Sequence, residues 1–285
     1  MEIIDSIVEL RHYLDSKRAD GLSIGLVPTM GALHSGHAEL IKKSTNICDI
    51  TVCSIFVNPT QFNNSDDLLK YPKQIEKDTD LLGSIGCDAA FIPSVDEMYP
   101  DDEETLVMNF GVLETVLEGA FRPGHFSGVG IIVSKFLNIV QPDKAFFGQK
   151  DLQQLAVIKK LVKDLNIQSD IVSVATVRES NGLAMSSRNL RLRGNEVQLA
   201  ANIYRVLSSS KKRILAGESI GSVLTSVKVE LEGIDGIELE YLEAVNSNTM
   251  ISAEKIADAG SISICIAAYV GDVRLIDNLY IKQED

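Results

Sequence analysis

The sequence predicts an α/β protein: a parallel sheet with crossover helices, then a smaller C-terminal α+β domain. Two observations carry this. Over the first 176 residues, short apolar runs alternate with stretches of helical spacing across short links, the rhythm of parallel strands joined by crossover helices. Beyond residue 177 the order becomes two helical stretches and then strands, as in a unit with an antiparallel sheet. A chain of 285 residues is long enough for both, because single cores rarely grow past roughly 250 residues.

Each element has its own signal. Residues 22–27 are an apolar run ended by Pro28, a buried strand, and residues 36–48 carry helical spacing. Residues 50–57 are rich in β-branched side chains and end at Asn58 and Pro59, a second buried strand. A helix over 71–84 leads to a third strand at 89–92. Residues 129–140 read as a helix ended by Gln141 and Pro142, and 145–147 as a short strand. Over 151–165, Leu152, Leu155, Ala156, Ile158, Leu161, Val162 and Leu165 form the stripe of an amphipathic helix, and 171–177 is a further strand. In the C-terminal part, Val197, Ala200, Ala201, Tyr204 and Leu207 mark one helical face, and Ile220, Val223, Leu224, Val227 and Leu231 another. Residues 237–241 and 262–266 alternate as strands. The boundary falls near Thr176, giving a Rossmann-like unit at residues 1–176 and an α+β unit at 177–285.

Composition excludes some functions. A net charge of −13 argues against nucleic acid, whose phosphates call for clustered Lys and Arg, and against an anionic membrane surface. No apolar run approaches the ~20 residues that a membrane span needs. Cys48, Cys53, Cys87 and Cys265 form no Cys-x-x-Cys pair and read as buried free thiols of a reducing compartment. With no basic leader at residues 1–10, a cytoplasmic protein is expected. An acidic chain still binds anions where a few cations and helix N-termini converge on one cleft.

Four segments carry such chemistry. In Met30, Gly31, Ala32, Leu33, His34, Ser35, Gly36 and His37, a buried strand runs into a loop with two glycines and two histidines, and a helix follows. In open parallel sheets, ligands bind beyond the carboxyl ends of the strands, and a helix N-terminus suits phosphate. Two imidazoles three residues apart can both donate to one phosphoryl group. The second segment, Gly148, Gln149, Lys150 and Asp151, repeats the strand-to-helix junction. Lys150 supplies a point charge, Asp151 alternatively serves as an N-cap, and Gln154 lies one turn on. The third runs from Val177 to Met185, Ser186, Ser187 and Arg188 at the domain junction, where a polar linker is the competing explanation. The fourth holds Asn58 and Gln61, neutral amides suited to a polar substrate, or simply a proline turn.

Together these segments, with Arg122, Pro123, Gly124, His125 and Phe126, and more weakly 271–277, resemble the pantothenate synthetase family over nearly the whole chain. That family belongs to the His-x-Gly-His nucleotidyltransferases. The resemblance implies an ATP- and Mg²⁺-dependent joining of pantoate to β-alanine through a pantoyl adenylate, releasing AMP and pyrophosphate. It implies catalytic roles for His34, His37, Lys150 and Arg188. Nucleotide contacts would come from residues 30–37, 148–151, Val177 and 185–188, and pantoate contacts from Gln61 and Gln154 with Asn58 nearby. The second histidine, His37, is the family's proton donor, although a hydrogen-bond donor to phosphate fits its setting better. Asp78 falls where a carboxylate near the metal is expected, or is an exposed helix acid. Arg122 and His125 are secondary, and His12 is ordinary surface. A homodimer is implied by analogy. Rival readings are another small-molecule nucleotidyltransferase of this superfamily, an RNA-binding module, and a nucleotide sensor without turnover.

Overall fold

The computed structural model describes residues 1–63, 65–100, 106–256 and 260–282. The N-terminal part runs β1 (Glu2–Ile4), α1 (Ile7–Ala19), β2 (Ile24–Thr29), α2 (Ser35–Thr45), β3 (Ile50–Ile55), α3 (Ser65–Leu69), α4 (Ile75–Ser84) and β4 (Ala89–Phe91). It continues through α5 (Val95–Met98), α6 (Leu117–Phe121), α7 (His125–Val140), β5 (Lys144–Gly148), α8 (Leu152–Asp164) and β6 (Asp170–Val174). Its six strands form one parallel sheet in the order β1-β4-β3-β2-β5-β6. Both faces are covered, which is why the strand sequences are apolar without alternation. Leu26 packs with Leu10 and Leu14 of α1 and with α7, while Val27, one residue on, packs with Leu40 and Ile41 of α2 and Leu82 of α4.

The C-terminal part comprises α9 (Glu196–Leu215), α10 (Ile220–Glu232), β7 (Ile237–Asn246), β8 (Ser261–Val270) and β9 (Val273–Lys282). Its strands form an antiparallel sheet in that order. On β8, Ile262, Ile264, Ile266 and Ala268 face α9 and α10, whereas Cys265 and Ala267 join the core of the parallel-sheet part. The two parts therefore share a packed surface.

The structure adds the short helices α3, α5 and α6, starts the helix expected over 71–84 at Ile75, ends the strand expected over 171–177 at Val174, and differs elsewhere as well. The short edge strand β1 and the last strand β9 were not anticipated. Helix α7 begins at His125 instead of residue 129, because Gly124 takes a left-handed conformation (φ 79°) and launches the helix there. The buried face of α9 is Ala200, Ile203, Val206, Leu207, Ser210 and Ile214. Tyr204 lies at its margin, its ring stacked beneath the Arg178 guanidinium at 4.0 Å.

Candidate active site

The centre of the parallel sheet places the site. β2 has β3 on one side and β5 on the other, so the chain leaves in opposite directions from this pair of strands. A crevice opens beyond the carboxyl ends of two strands at such a reversal. The loops after β2 and β5 meet there, around a cavity of about 240 Å³ lined by Met30, His34, Gly36, His37, Asn58, Gln61, Gly148, Lys150, Asp151, Gln154 and residues 185–188. A second, more polar cavity of about 500 Å³ shares Glu118, Arg122, Lys150, Asp151, Ser186 and Arg188 with it. The chain is acidic overall, yet three cationic side chains, Arg122, Lys150 and Arg188, converge on this shared wall, alongside the acids Glu118, Asp151 and Asp277.

The loop after β2 has an unusual backbone. Gly31 (φ 80°) and Ala32 (φ 49°) are both left-handed, a costly arrangement for the alanine unless its surroundings impose it. Asp78 of α4 does so. Its Oδ2 accepts the Ala32 N–H at 2.8 Å and its Oδ1 the Leu33 N–H at 2.7 Å. The expectation of an exposed helix acid does not describe this. Asp78 is 3% exposed and lines neither cavity, since both its oxygens are spent on the loop.

The histidines finish the start of α2. His34 Nδ1 accepts the Gly36 N–H at 3.1 Å, and His37 Nδ1 accepts the His34 N–H at 3.3 Å, so two imidazoles satisfy N–H groups that a helix start leaves unpaired. Gly36 is needed because a Cβ there would lie 2.9 Å from Cε1 and Nδ1 of the His34 ring. With Nδ1 accepting, each neutral ring carries its proton on Nε2. The ring centroids are 4.0 Å apart. Burial, reinforced by the Lys150 charge, lowers His34 to about 4; burial and the neighbouring His34 hold His37 well below the usual imidazole range. Both rings are therefore neutral N–H donors near pH 7.

The loop after β5 carries Lys150, whose Nζ lies 3.5 Å from Asp151 Oδ1. Asp151 occupies the N-cap position of α8, but its side chain makes no capping bond, so capping does not account for it. This loop is gripped from β9: Asn278 Nδ2 donates to the carbonyls of Gln149 (2.9 Å) and Lys150 (2.8 Å). Next to it, buried Asp277 takes a two-pronged bond from Arg178, at 2.6 and 3.0 Å. Sequence reasoning missed Asn278; its signal is a polar pair, Asp277 and Asn278, in an otherwise alternating apolar strand.

The third segment is tied to the first, since Ser187 Oγ donates to the Ala32 carbonyl at 3.1 Å. Val177 supports it through the backbone, its carbonyl accepting the Met185 N–H at 2.9 Å. Arg188 Nη2 reaches Asp67 Oδ2 of α3 at 2.8 Å, and Arg191 Nη1 reaches Oδ1 at 3.1 Å. Burial would raise the Asp67 carboxyl, but Arg188 and Arg191 outweigh it and hold it below the ordinary range.

On the amide side, Gln61 is 8% exposed, with Nε2 2.9 Å from Met30 Sδ. Asn58 is 1% exposed and fully engaged. Its Nδ2 donates to Gln61 Oε1 and Gly128 O, both at 3.2 Å, while its Oδ1 accepts from Thr60 (3.1 Å) and Tyr99 (2.8 Å). Asn58 thus orients Gln61. Gln153 and Gln154 both line the cavity, but the Gln153 amide is spent on Leu113, Val116 and Glu118.

Two neutral imidazole donors, a lysine and an arginine, gathered at the switch point of a parallel sheet, are the equipment of an enzyme that acts on a nucleotide phosphate. Comparison with known proteins narrows this class. The family model described as pantoate-beta-alanine ligase matches residues 2–280. The pantothenate synthetase of Cytophaga hutchinsonii is 48% identical over 279 residues, covering 98% of each chain. That of Bacteroides thetaiotaomicron is 46% identical over 283 residues, 99% of this chain and all of the other. The crystal structure of pantothenate synthetase from Thermus thermophilus superposes with a TM-score of 0.92 at 38% identity, covering 98% and 99% of the two chains. The pantoate-beta-alanine ligase of Francisella tularensis, complexed with beta-gamma ATP and beta-alanine, gives 0.81 at 37% identity, covering 98% and 97%. This chain belongs to the pantoate-beta-alanine ligase family. Among the described residues, no helix is long and apolar enough to cross a membrane.

Proposed function

We infer that this chain joins (R)-pantoate to β-alanine, cleaving ATP to AMP and pyrophosphate by way of a pantoyl adenylate. The observation that carries this reading is one cavity lined both by the donors and cations His34, His37, Lys150 and Arg188 and by the neutral amides of Gln61 and Gln154.

The first step sets one anion against another, as the pantoate carboxylate attacks the α-phosphorus and pyrophosphate leaves. Lys150 and Arg188 offset the charge, and the Nε2–H groups of His34 and His37 donate to phosphoryl oxygens as negative charge grows there. With its imidazole held neutral, His37 acts by donating a hydrogen bond; it has no proton to release near pH 7. Gln61 and Gln154 hold the pantoate hydroxyls. In the second step the β-alanine nitrogen bonds to the acyl carbon, the bond from that carbon to the phosphate oxygen breaks, AMP departs and the nitrogen loses a proton. No enzyme-bound acyl group is required. The four thiols are buried, and burial raises each of them out of the nucleophilic range.

We further propose that ATP enters as its Mg²⁺ complex. Mg²⁺ is commonly held by substrate phosphates with one or two carboxylates, and among the described residues no group of three or more His, Cys, Asp or Glu side chains forms a cage for it. Residues 177–285 are proposed to act as a lid unit, two copies to pair through the N-terminal part, and the protein to work in the cytoplasm. The reaction is tested by isotope exchange. Labelled pyrophosphate should enter ATP when pantoate is present and β-alanine absent; exchange that needs no pantoate, or fails with it, contradicts the adenylate path.

A further inference from the structure

The turn carrying Gln61 is seated against the first turns of α7. Asn58 donates to the Gly128 carbonyl, and a Cβ on Gly128 would lie 2.4 Å from the Thr60 carbonyl oxygen, so the two backbones touch where only glycine fits. The third contact is His125, which is 6% exposed. Its Nδ1 lies 2.8 Å from the Gln61 carbonyl oxygen; since that oxygen can only accept, Nδ1 carries the proton and Nε2 is the acceptor. The donor that meets Nε2 is Arg122 Nη1, at 3.2 Å.

Arg122 is held in turn. Its Nη1 lies 3.7 Å from Glu118 Oε2, and Glu118 is a buried carboxylate whose other partners come from the C-terminal sheet. Arg274 of β9 donates to both its oxygens, at 2.8 and 2.7 Å, and Tyr241 of β7 donates to Oε1 at 2.9 Å. Arg274 is braced by Glu240 at 3.0 Å. An unbroken polar chain therefore runs from the C-terminal sheet to the backbone of Gln61.

We propose that His125 is a positioning residue for Gln61, and that the C-terminal sheet sets it through Arg274, Glu118 and Arg122. The inference rests on the reading that Gln61 binds pantoate. Without the Nδ1–H bond, the Gln61 carbonyl loses its donor and the turn is free to shift its side-chain amide. Pantoate binding then suffers, while Lys150 and Arg188, held by Asn278 and Asp67, keep their places.

Steady-state kinetics on four variants test this, with thermal melts to establish folding. Gln61→Ala should raise the pantoate KM. His125→Asn keeps an N–H where Nδ1–H stood; His125→Gln moves its amide to the Nε2 position and loses that donor. His125→Gln should raise the pantoate KM roughly five- to tenfold, the scale of one lost hydrogen bond, with the ATP KM unmoved. His125→Asn should restore most of it. Arg274→Met should raise the pantoate KM in the same direction by less, and it decides the matter should His125→Gln not fold. If Gln61→Ala raises the pantoate KM and His125→Gln does not, the proposal fails while the role of Gln61 stands. If neither moves it, the reading of Gln61 fails first. Equal rises in the ATP and pantoate KM, or no difference between Asn and Gln at 125, also overturn it.

Discussion

The Nδ1 of His37 accepts the backbone N–H of His34 at 3.3 Å, and this contact decides which nitrogen of the second histidine meets the cleft. Nε2–H is left as a donor on a ring that burial keeps neutral. His37→Ala should lower kcat by roughly 10²–10³, the usual loss on removing one donor to developing oxyanion charge. His37→Gln, which places an amide N–H near the Nε2 position, should recover part of it. Because His34 is lowered to about 4 and His37 lies well below the usual range, neither should appear as an ionisation between pH 5 and 8. A kcat step near pH 6.5 that vanishes in His37→Ala would show that the ring does release a proton.

Asp78→Asn separates holding the loop from holding the metal. An asparagine turns one acceptor into a donor facing the N–H of Ala32 or Leu33, leaving a buried group unpaired. Denaturant unfolding should show a loss of about 1–3 kcal/mol. The Mg²⁺ concentration for half-maximal rate should stay put; a large shift in it with stability intact would return Asp78 to the metal.

Arg188 and Arg191 grip opposite oxygens of Asp67, so the guanidinium fork of Arg188 is aligned before any nucleotide arrives. Arg188→Ala should cut kcat/KM for ATP by about 10²-fold. Arg188→Lys keeps the charge but not the fork and should recover only part. Full activity in the lysine variant would mean that charge alone matters.

His125 also predicts how stability depends on pH. Burial, then the Arg122 charge, lowers it to about 4 in the folded chain, against 6.5 as the ordinary value. Between those values the unfolded state binds the extra proton, so stability rises with pH through this window and is lost as pH falls from 6.5 towards 4. Glu118 acts lower down. Burial would raise it, but Arg274, Arg122 and Tyr241 outweigh burial and hold it at about 2, so its contribution is present above 4.5 and lost as pH falls towards 2. Urea unfolding at pH 7 and pH 4.5 should show the first slope, to which His34 and His37 contribute in the same direction, and His125→Asn should reduce it. An unchanged slope in that variant would contradict the assignment.

Much of the site was legible because it lies at strand ends. The runs before Pro28 and Asn58 are apolar enough to be strands, and the polar residues that follow must then stand beyond the strands' carboxyl ends. What could not be read depends on partners distant in sequence. Asp78 and Asn58 carry polar groups that would suit a ligand equally well, and only the fold reveals that the Ala32 and Leu33 amides, Gly128 and Tyr99 already use them. The early start of α7 was hidden by Gly124, Gly128 and Gly130, which locally argue against a helix. Gly128 stands against the Thr60 carbonyl and Gly130 against the Phe110 ring, so close packing explains both. Asn278 shows in the sequence only as half of a polar pair in an apolar strand, and its partners, the carbonyls of the lysine loop, lie more than a hundred residues away.

The most direct test of the account is product analysis by chromatography after mixing the purified protein with ATP, Mg²⁺ and pantoate, with and without β-alanine. Pantothenate and AMP should form in equal amounts only when every component is present, and a bound pantoyl adenylate should be recovered when β-alanine is left out. ADP in place of AMP, or a product that keeps the nucleotide after β-alanine is added, would contradict it.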